Sequence, residues 1–529
     1  MNVIQNYNDC LGKPVKVSYG NFAHQYHGGI SLLSKFRFQY VHPILFSLFF
    51  PLSMLQANYG VTPVSEVIRP MVFTAIVSII VYSLVFLVLR NWEKTSAISF
   101  ILLFIFFTFG HLYDLLKPVK IFSFSIGRIR FILPVLILLA AFLIFIMIRS
   151  KTKLRNVNWL LFFVSVFLLV SVIGQLVFAG ISFAKTNTDL SKNDLSLAVD
   201  DSIVKRDVYY IILDKYTRDD YLSTDYGLDT SEFINQLEDM GFYVASCSQP
   251  NYTGTALSLA SSLNYEYLDT LAPDLINQNR SWSNFAAYIK DSKARQFFTD
   301  LGYKFVTAET AHFWVNISDS DVYLKRNVTA GQIELTSFET MFLQSTLIRA
   351  VYGLTPLGQI KTVVPYERSH YERILFTLDQ MKKVPEITSP TFSYIHLVVP
   401  HHPYVFTPEG EYLVTEDEKT GYLDNIRFIN KQIIPVLEEI ISKSEVPPII
   451  VLQADHGNDG DDVYAIFNAY YLPGIDPDVL YPGITPVNTF RVILDNYFNT
   501  NLGLLEDVTY TWEWEGVYDF GVFPNTCSR

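Results

Sequence analysis

Apolar positions along the chain fall into two regimes. The first is a set of five charge-free runs, Phe38–Ser65, Pro70–Leu89, Thr95–Tyr113, Phe131–Ile148 and Asn156–Ala184, separated by short basic segments. Each is about as long as the ~20 residues that a bilayer-spanning helix needs. They predict spans over about 40–58, 70–89, 97–115, 131–148 and 158–183. One such run is compatible with a buried core helix, but five in succession read as a membrane bundle. The first 37 residues are polar and no small-residue cleavage site follows a short apolar run, which argues against a cleavable signal peptide.

The second regime begins after a polar stretch, 185–206, rich in Ser, Asp, Asn and Lys. Here the apolar runs shorten to Val208–Leu213 (VYYIIL), Tyr394–Val399 (YIHLVV) and Ile449–Gln453 (IIVLQ). Continuous short runs of this kind are the pattern of strands buried on both faces in a largely parallel sheet. Helical stretches lie between them, such as Glu232–Met240 and Tyr371–Lys382. A further strand is expected within 465–491, and a helix begins in the Ile-Thr-Pro-Val-Asn-Thr-Phe-Arg stretch that ends at Arg491. The predicted organisation is a five-helix transmembrane domain (1–184), a linker (185–206) and an α/β domain (207–529) with a mostly parallel central sheet and helices on both faces.

Charge divides the chain at the same place. Residues 1–184 carry a formal +11 and residues 185–529 a formal −23. The acidic part excludes nucleic acid as a partner. Half of all residues are hydrophobic and the mean hydropathy is +0.22, which excludes disorder. Cys10, Cys247 and Cys527 are too few and too scattered for a disulfide scaffold. With the N-terminus inside, the inner segments hold ten Lys and Arg and the outer ones six, so the basic-loop bias places 185–529 outside the cell membrane. Inside the spans, His111 and Asp114 lie near an end and no run of buried charges marks a conduction path. The bundle reads as an anchor that can also hold a lipid substrate.

The chemistry is at the strand ends, where open α/β sheets place their sites. One strand runs into Asp214, one into Pro400-His401-His402, and one into Ala454-Asp455-His456-Gly457. Taken singly, each is as readily a turn or a cap. Together they bring hard oxygen and imidazole donors of the kind that Zn²⁺ or Mn²⁺ accepts. The segment Asn251–Asn264 (NYTGTALSLASSLN) adds a hydroxyl: Gly254 permits a tight turn, and a helix starting at Thr255 would favour negative charge there. Thr255 could instead cap the helix, and Thr253, two residues away, is the alternative nucleophile.

With Asp214, Thr-Gly-Thr-Ala-Leu-Ser, Pro-His-His-Pro-Tyr and Ala-Asp-His-Gly in this order after five spans, the chain resembles the alkaline phosphatase superfamily. Within it, the chain looks like the membrane-anchored, sulfatase-like branch, which includes lipoteichoic acid synthases and lipid A phosphoethanolamine transferases. The resemblance implies an alkaline-phosphatase-like fold, one divalent metal (Zn or Mn) held by Asp214, Thr255, Asp455 and His456, and Thr255 as nucleophile. It places His401 on the substrate phosphate or a second metal, with His402 and His396 as further substrate-binding residues. Departures are also visible. Many relatives have Glu at the position of Asp214, the flanking cysteines of the phosphoethanolamine transferases are missing, and Asn458–Asp462 supplies no further His, which leaves a second metal open. Cys247 lies in Ser-Cys-Ser-Gln-Pro and lacks the context for the formylglycine of true sulfatases.

The implied activity is metal-dependent transfer of a phospho-substituent, of phosphoethanolamine or glycerophosphate type, from a membrane lipid to an envelope glycan or glycolipid. Two alternatives stay open: a sulfatase-like hydrolase (phosphatase, phosphodiesterase or sulfatase) using the same site, and a non-catalytic membrane protein whose site has decayed. The expected location is the cell (inner) membrane, multi-pass, with an extracytoplasmic catalytic domain. The sequence says nothing of oligomeric state.

Overall fold

The computed structural model describes residues 38–59, 62–121, 124–125, 128–151, 153–190, 203–277, 282–310, 312, 314–354, 363–511 and 520–524. Among the described residues, five apolar helices precede the α/β domain: α1 (His42–Ala57), α2 (Ile68–Leu89), α3 (Trp92–Leu116), α4 (Ile129–Arg149) and α5 (Arg155–Leu190). Four of them, α2 to α5, are long and apolar enough to cross a membrane. The span expected over 40–58 is shorter than the sequence suggests. α1 stops at Ala57, one residue from the expected end, where the Asn58 side chain donates to the Met54 carbonyl at 2.8 Å; at its start Phe38–Tyr40 form a separate 3-10 turn, so α1 has only 16 residues. That is about 24 Å of helix at 1.5 Å per residue, less than the ~30 Å hydrocarbon layer. At the other end of the bundle α5 continues through Leu190, beyond the expected start of the linker; residues 191–202 of that linker lie outside the described residues.

The helices alternate in direction. At one end Tyr40 donates to Glu93 (3.3 Å), the Leu154 amide donates to the same carboxylate (3.2 Å), and Lys94 donates to the Ile148 carbonyl (2.7 Å). At the other end the bundle meets the α/β domain. Arg69 pairs with Glu339 at 2.9 Å, Arg349 pairs with Asp114 at 2.8 Å, and the Leu347 amide donates to the Phe106 carbonyl at 2.8 Å. Gly110 makes this approach possible, because a Cβ there would lie 2.2 Å from the Gln344 carbonyl oxygen. α1 therefore runs between the same two ends as its longer neighbours.

The α/β domain is built on a seven-stranded sheet. Its strands are β1 (Val208–Leu213), β2 (Tyr243–Val244), β3 (Lys304–Ala308), β4 (Val322–Leu324), β5 (Thr391–Leu397), β6 (Ile449–Gln453) and β7 (Asn468–Tyr471), in the spatial order β2-β7-β6-β1-β5-β3-β4. From β6 to β4 the pairing is parallel, and β7 and β2 add an antiparallel edge. Every residue of β1 is buried, since both faces are covered. Val208, Tyr210 and Ile212 face a core with α6 (Thr255–Asn264) and α9 (Pro486–Phe498); Tyr209, Ile211 and Leu213 face one with α7 (Tyr366–Met381) and α8 (Glu418–Lys443). That explains why the strand reads as an unbroken apolar run: alternation needs one wet face, and β1 has none.

Register delivers the site. Gln453 and His396 both lie opposite Ile212, so β6, β1 and β5 end at one level of the sheet. The residues that follow them, Ala454–His456, Asp214 and Val398–His402, emerge side by side.

Candidate active site

The site grows from these three strand ends and the start of α6. Gly254 is the N-cap of α6 with no side-chain cap, so Thr255 is its first helical residue and its hydroxyl is not used for capping. Thr255 Oγ1 lies 3.3 Å from His456 Nε2. Two contacts hold α6 to the sheet: Ser258 donates to the Asp455 carbonyl at 2.7 Å, and Tyr210 donates to Ser262 at 3.0 Å. Thr253 and Thr255 line the same cavity of about 690 Å³. Of these two hydroxyls, Thr255 is the one with a contact to His456.

Among the described residues, each carboxylate uses one oxygen within the protein and leaves the other bare. Asp214 Oδ2 is 2.9 Å from His396 Nε2, while Asp214 Oδ1 is buried without a hydrogen-bond partner. Asp455 Oδ1 accepts from the amides of Lys215 (3.1 Å) and His456 (2.9 Å), while Oδ2 is likewise buried and unpartnered. His456 donates its Nδ1 proton to the Gly457 carbonyl at 2.8 Å, which turns the Nε2 lone pair inward. That nitrogen lies 4.0 Å from Asp214 Oδ1 and 3.8 Å from Asp455 Oδ2. Gly457 is required here, because a Cβ would fall 1.9 Å from the Asp462 carbonyl oxygen.

Two bare, buried carboxylate oxygens facing one imidazole nitrogen repel each other unless a cation lies between them. The ligand atoms of Asp214, Asp455 and His456 come within 4.8 Å of one another, and Thr255 Oγ1 lies 3.3 Å from one of them, His456 Nε2. This is a donor set that fits Zn²⁺ or Mn²⁺. Burial works against charge on Asp214, but His401, His396 and His456 outweigh it and hold this carboxyl well below its usual range.

The other expected residues separate. His401 and His402 line the cavity, with their rings 4.1 Å apart, and His401 Nδ1 is 2.7 Å from the His402 carbonyl oxygen. His396 lies in β5, buried behind Asp214, and does not reach the cavity; its contact is with that carboxylate rather than with the space a substrate would fill. Arg491 does not meet the site either. It donates to the carbonyls of Tyr265 (2.9 Å), Leu502 (3.1 Å) and Gly503 (3.0 Å) and lies 3.6 Å from Glu266. Arg491→Ala leaves three carbonyls short of a donor, so a loss of about 2–4 kcal/mol is expected, measured as a lower unfolding midpoint.

His312 is the residue that sequence reasoning undervalued. In the sequence, the loop around His312 and Trp314 is marked only by its aromatic content. In the fold it follows β3 and lies beside the site, edge-on to the His401 ring at 5.5 Å and tilted against Trp314 at 4.7 Å. Asp214, His312 and His401 form a second group whose ligand atoms lie within 4.8 Å of one another. His312 Nε2 is buried without a hydrogen-bond partner, and burial pushes the imidazole down to about 3, so it is neutral at pH 7. The available signal was another short apolar run, KFVTA, four residues before His312.

His370 on α7 gives a pH test at a residue that belongs to neither ligand group. It is 1% exposed, its Nε2 has no partner, and burial lowers its pKa well below the usual value. Below about pH 6.5 the unfolded chain takes up a proton that the folded chain does not, so stability falls with pH by about 1.4 kcal/mol per unit per such histidine. His312 and His402, the latter lowered by burial to about 4, act with the same sign. Asp214 contributes only near and below its unfolded value of about 4. The unfolding midpoint should therefore drop between pH 6.5 and 5, and less steeply in His370→Gln. An unchanged slope in that variant would remove His370 from the account.

No protein-family model and no curated protein matches the chain. Among solved structures, it is similar to the C-terminal periplasmic domain of EcEptC from Escherichia coli in complex with Zn, at 10% identity and a TM-score of 0.40, covering 62% of this chain and 94% of that one. It is also similar to the integral membrane protein lipooligosaccharide phosphoethanolamine transferase A (EptA) from Neisseria meningitidis, at 12% identity and a TM-score of 0.36, covering 86% and 94%. A third is the lipoteichoic acid synthase LtaP from Listeria monocytogenes, at 10% identity and a TM-score of 0.35, covering 62% and 83%.

Proposed function

We propose that the chain is a membrane-anchored, metal-dependent phosphotransferase that moves a phospho-substituent from a membrane lipid to an envelope glycan or glycolipid through a phosphothreonine intermediate. The observation that carries this reading is the convergence of Asp214 Oδ1, Asp455 Oδ2 and His456 Nε2 on one another, with the Thr255 hydroxyl at the start of α6 lying 3.3 Å from His456 Nε2 in the cavity wall. A divalent cation, Zn or Mn, held by Asp214, Thr255, Asp455 and His456 would supply charge neutralisation and a lowered hydroxyl pKa.

In the first step Thr255 Oγ1 gives up its proton and forms a bond to phosphorus, while the bond to the lipid alcohol breaks and that alcohol leaves with a proton. The first-turn N–H groups of α6 favour the negative charge. His401, at the cavity wall, orients the phosphoryl group or passes the proton. In the second step an acceptor hydroxyl bonds to phosphorus and the Thr255 oxygen leaves and recovers a proton. His396 fixes Asp214 from behind, a positioning role.

Anchorage supports a lipid donor, because enzyme and donor then share two dimensions. Five alternating helices and the basic-loop bias support an N-terminus inside and a catalytic domain outside the cell membrane. Cys247 is disulfide-bonded, as an oxidising compartment permits. The test is an intact mass of the metal-loaded, full-length protein after incubation with total membrane phospholipid. An added mass mapping to Thr255 is expected, and its size identifies the group. Bound metal with no adduct would count against the covalent step, and release of the group to water would make the protein a hydrolase.

A further inference from the structure

Lys215, directly after Asp214, holds a backbone conformation that a lysine adopts only when its surroundings impose it. Its φ is +71°, in the left-handed region. Arg90, Tyr265 and Asn499 also have positive φ, but each closes a helix, where that conformation is ordinary, and Asn501 is an asparagine, a residue type that tolerates it. Lys215 instead follows a strand. Its amide donates to Asp455 Oδ1 at 3.1 Å and its carbonyl accepts from the buried Tyr422 hydroxyl at 3.0 Å. Strain held in this way clusters at functional sites, and the inference runs from the outlier to the function.

The side chain is placed as unusually as the backbone. Lys215 lines the cavity that holds Thr255, yet it is only 8% exposed, and Nζ lies 2.9 Å from Asp459 Oδ2. Asp459 is 86% exposed. The ammonium is fixed in the wall, whereas its partner stands in solvent and can move off it. A compact ammonium with three donors suits a phosphoryl oxygen.

We propose that Lys215 is a phosphoryl-binding residue of this site: its ammonium takes an anionic oxygen of the substrate's phospho-group, and Asp459 holds it between turnovers. The left-handed turn is then what brings the side chain of the residue next to Asp214 into the same cavity as Thr255. This rests on the phosphotransfer reading above. The competing role for Lys215 is a brace between its turn and the loop carrying Asp459.

The experiment is calorimetric titration of inorganic phosphate into the full-length, zinc-loaded protein, with bound zinc measured alongside. Lys215→Gly accepts positive φ without strain and keeps the amide donor to Asp455, so it should fold even if Lys215→Gln does not. About a tenfold or larger rise in the phosphate dissociation constant is expected in both variants at unchanged zinc content, with Lys215→Arg within about threefold of wild type. Equal phosphate affinity in wild type and Lys215→Gly would overturn the lysine assignment and leave the phosphotransfer reading intact. Loss of zinc together with phosphate binding would make Lys215 a support for Asp455, also overturning it. No phosphate binding by the wild type would bring down both.

Discussion

Thr255→Ala is expected to give a folded, metal-binding protein that transfers nothing, with a loss of at least about 10³-fold. The fold should survive because Gly254, not Thr255, is the N-cap of α6, and Thr255 Oγ1 has His456 as its contact. The helix stays tied to the site by Ser258 on the Asp455 carbonyl and to the sheet by Tyr210 on Ser262. Thr255→Ser keeps a hydroxyl at the same place and should retain part of the activity. Thr253→Ala, two residues earlier in the same cavity wall, should retain most of it. The measurement is headgroup transfer in proteoliposomes together with the mass adduct. Full transfer by Thr255→Ala would sink the nucleophile assignment.

Removing the metal is the second large effect, and it carries a sign that a decayed site would not show. In the metal-free protein the bare oxygens of Asp214 and Asp455 face each other's charge with no proton donor on either. A cation present at about 100 times its dissociation constant adds about 2.7 kcal/mol of stability. Chelation should therefore abolish transfer and lower the unfolding midpoint of the wild type. Asp455→Asn relieves the repulsion, so without metal it should be at least as stable as wild type. With metal the order should reverse, because the variant has lost an anionic ligand. Unfolding midpoints of the two proteins, each with zinc and with chelator, decide it. Curves that do not cross, with no metal in the wild type, would favour a non-catalytic protein.

Local chemistry made much of this legible from sequence. An unbroken apolar run as short as VYYIIL reads as a strand covered on both faces, and β1 is one. In a parallel sheet its carboxyl end is where donors gather, so Asp214 and Asp455-His456 could be placed together before any coordinates. Gly254 before a run of helix formers marked the start of α6 at Thr255. The membrane helices were visible for the same reason, since charge-free length is a property of the chain alone. Where the first of them starts was less visible: Phe38–Tyr40 form a separate 3-10 turn before α1 begins at His42, a break that hydrophobicity does not register.

What the sequence by itself determined, then, is which segments are apolar enough for the membrane or for a sheet interior, and which donors follow each strand. Those are consequences of residue type and spacing. The tertiary structure alone decided how donors from distant segments meet. It put His396 behind Asp214 instead of in the cavity, because β5 and β1 pair with His396 opposite Ile212. It brought His312 to His401 from beyond β3, a neighbour of β5 in space but not in sequence. It also turned Lys215 into a left-handed conformation that no propensity would assign to lysine, because Asp455 and Tyr422 hold its backbone from other parts of the chain. Side-chain direction depends on register and packing across the sheet, and those are set by contacts between residues far apart along the chain.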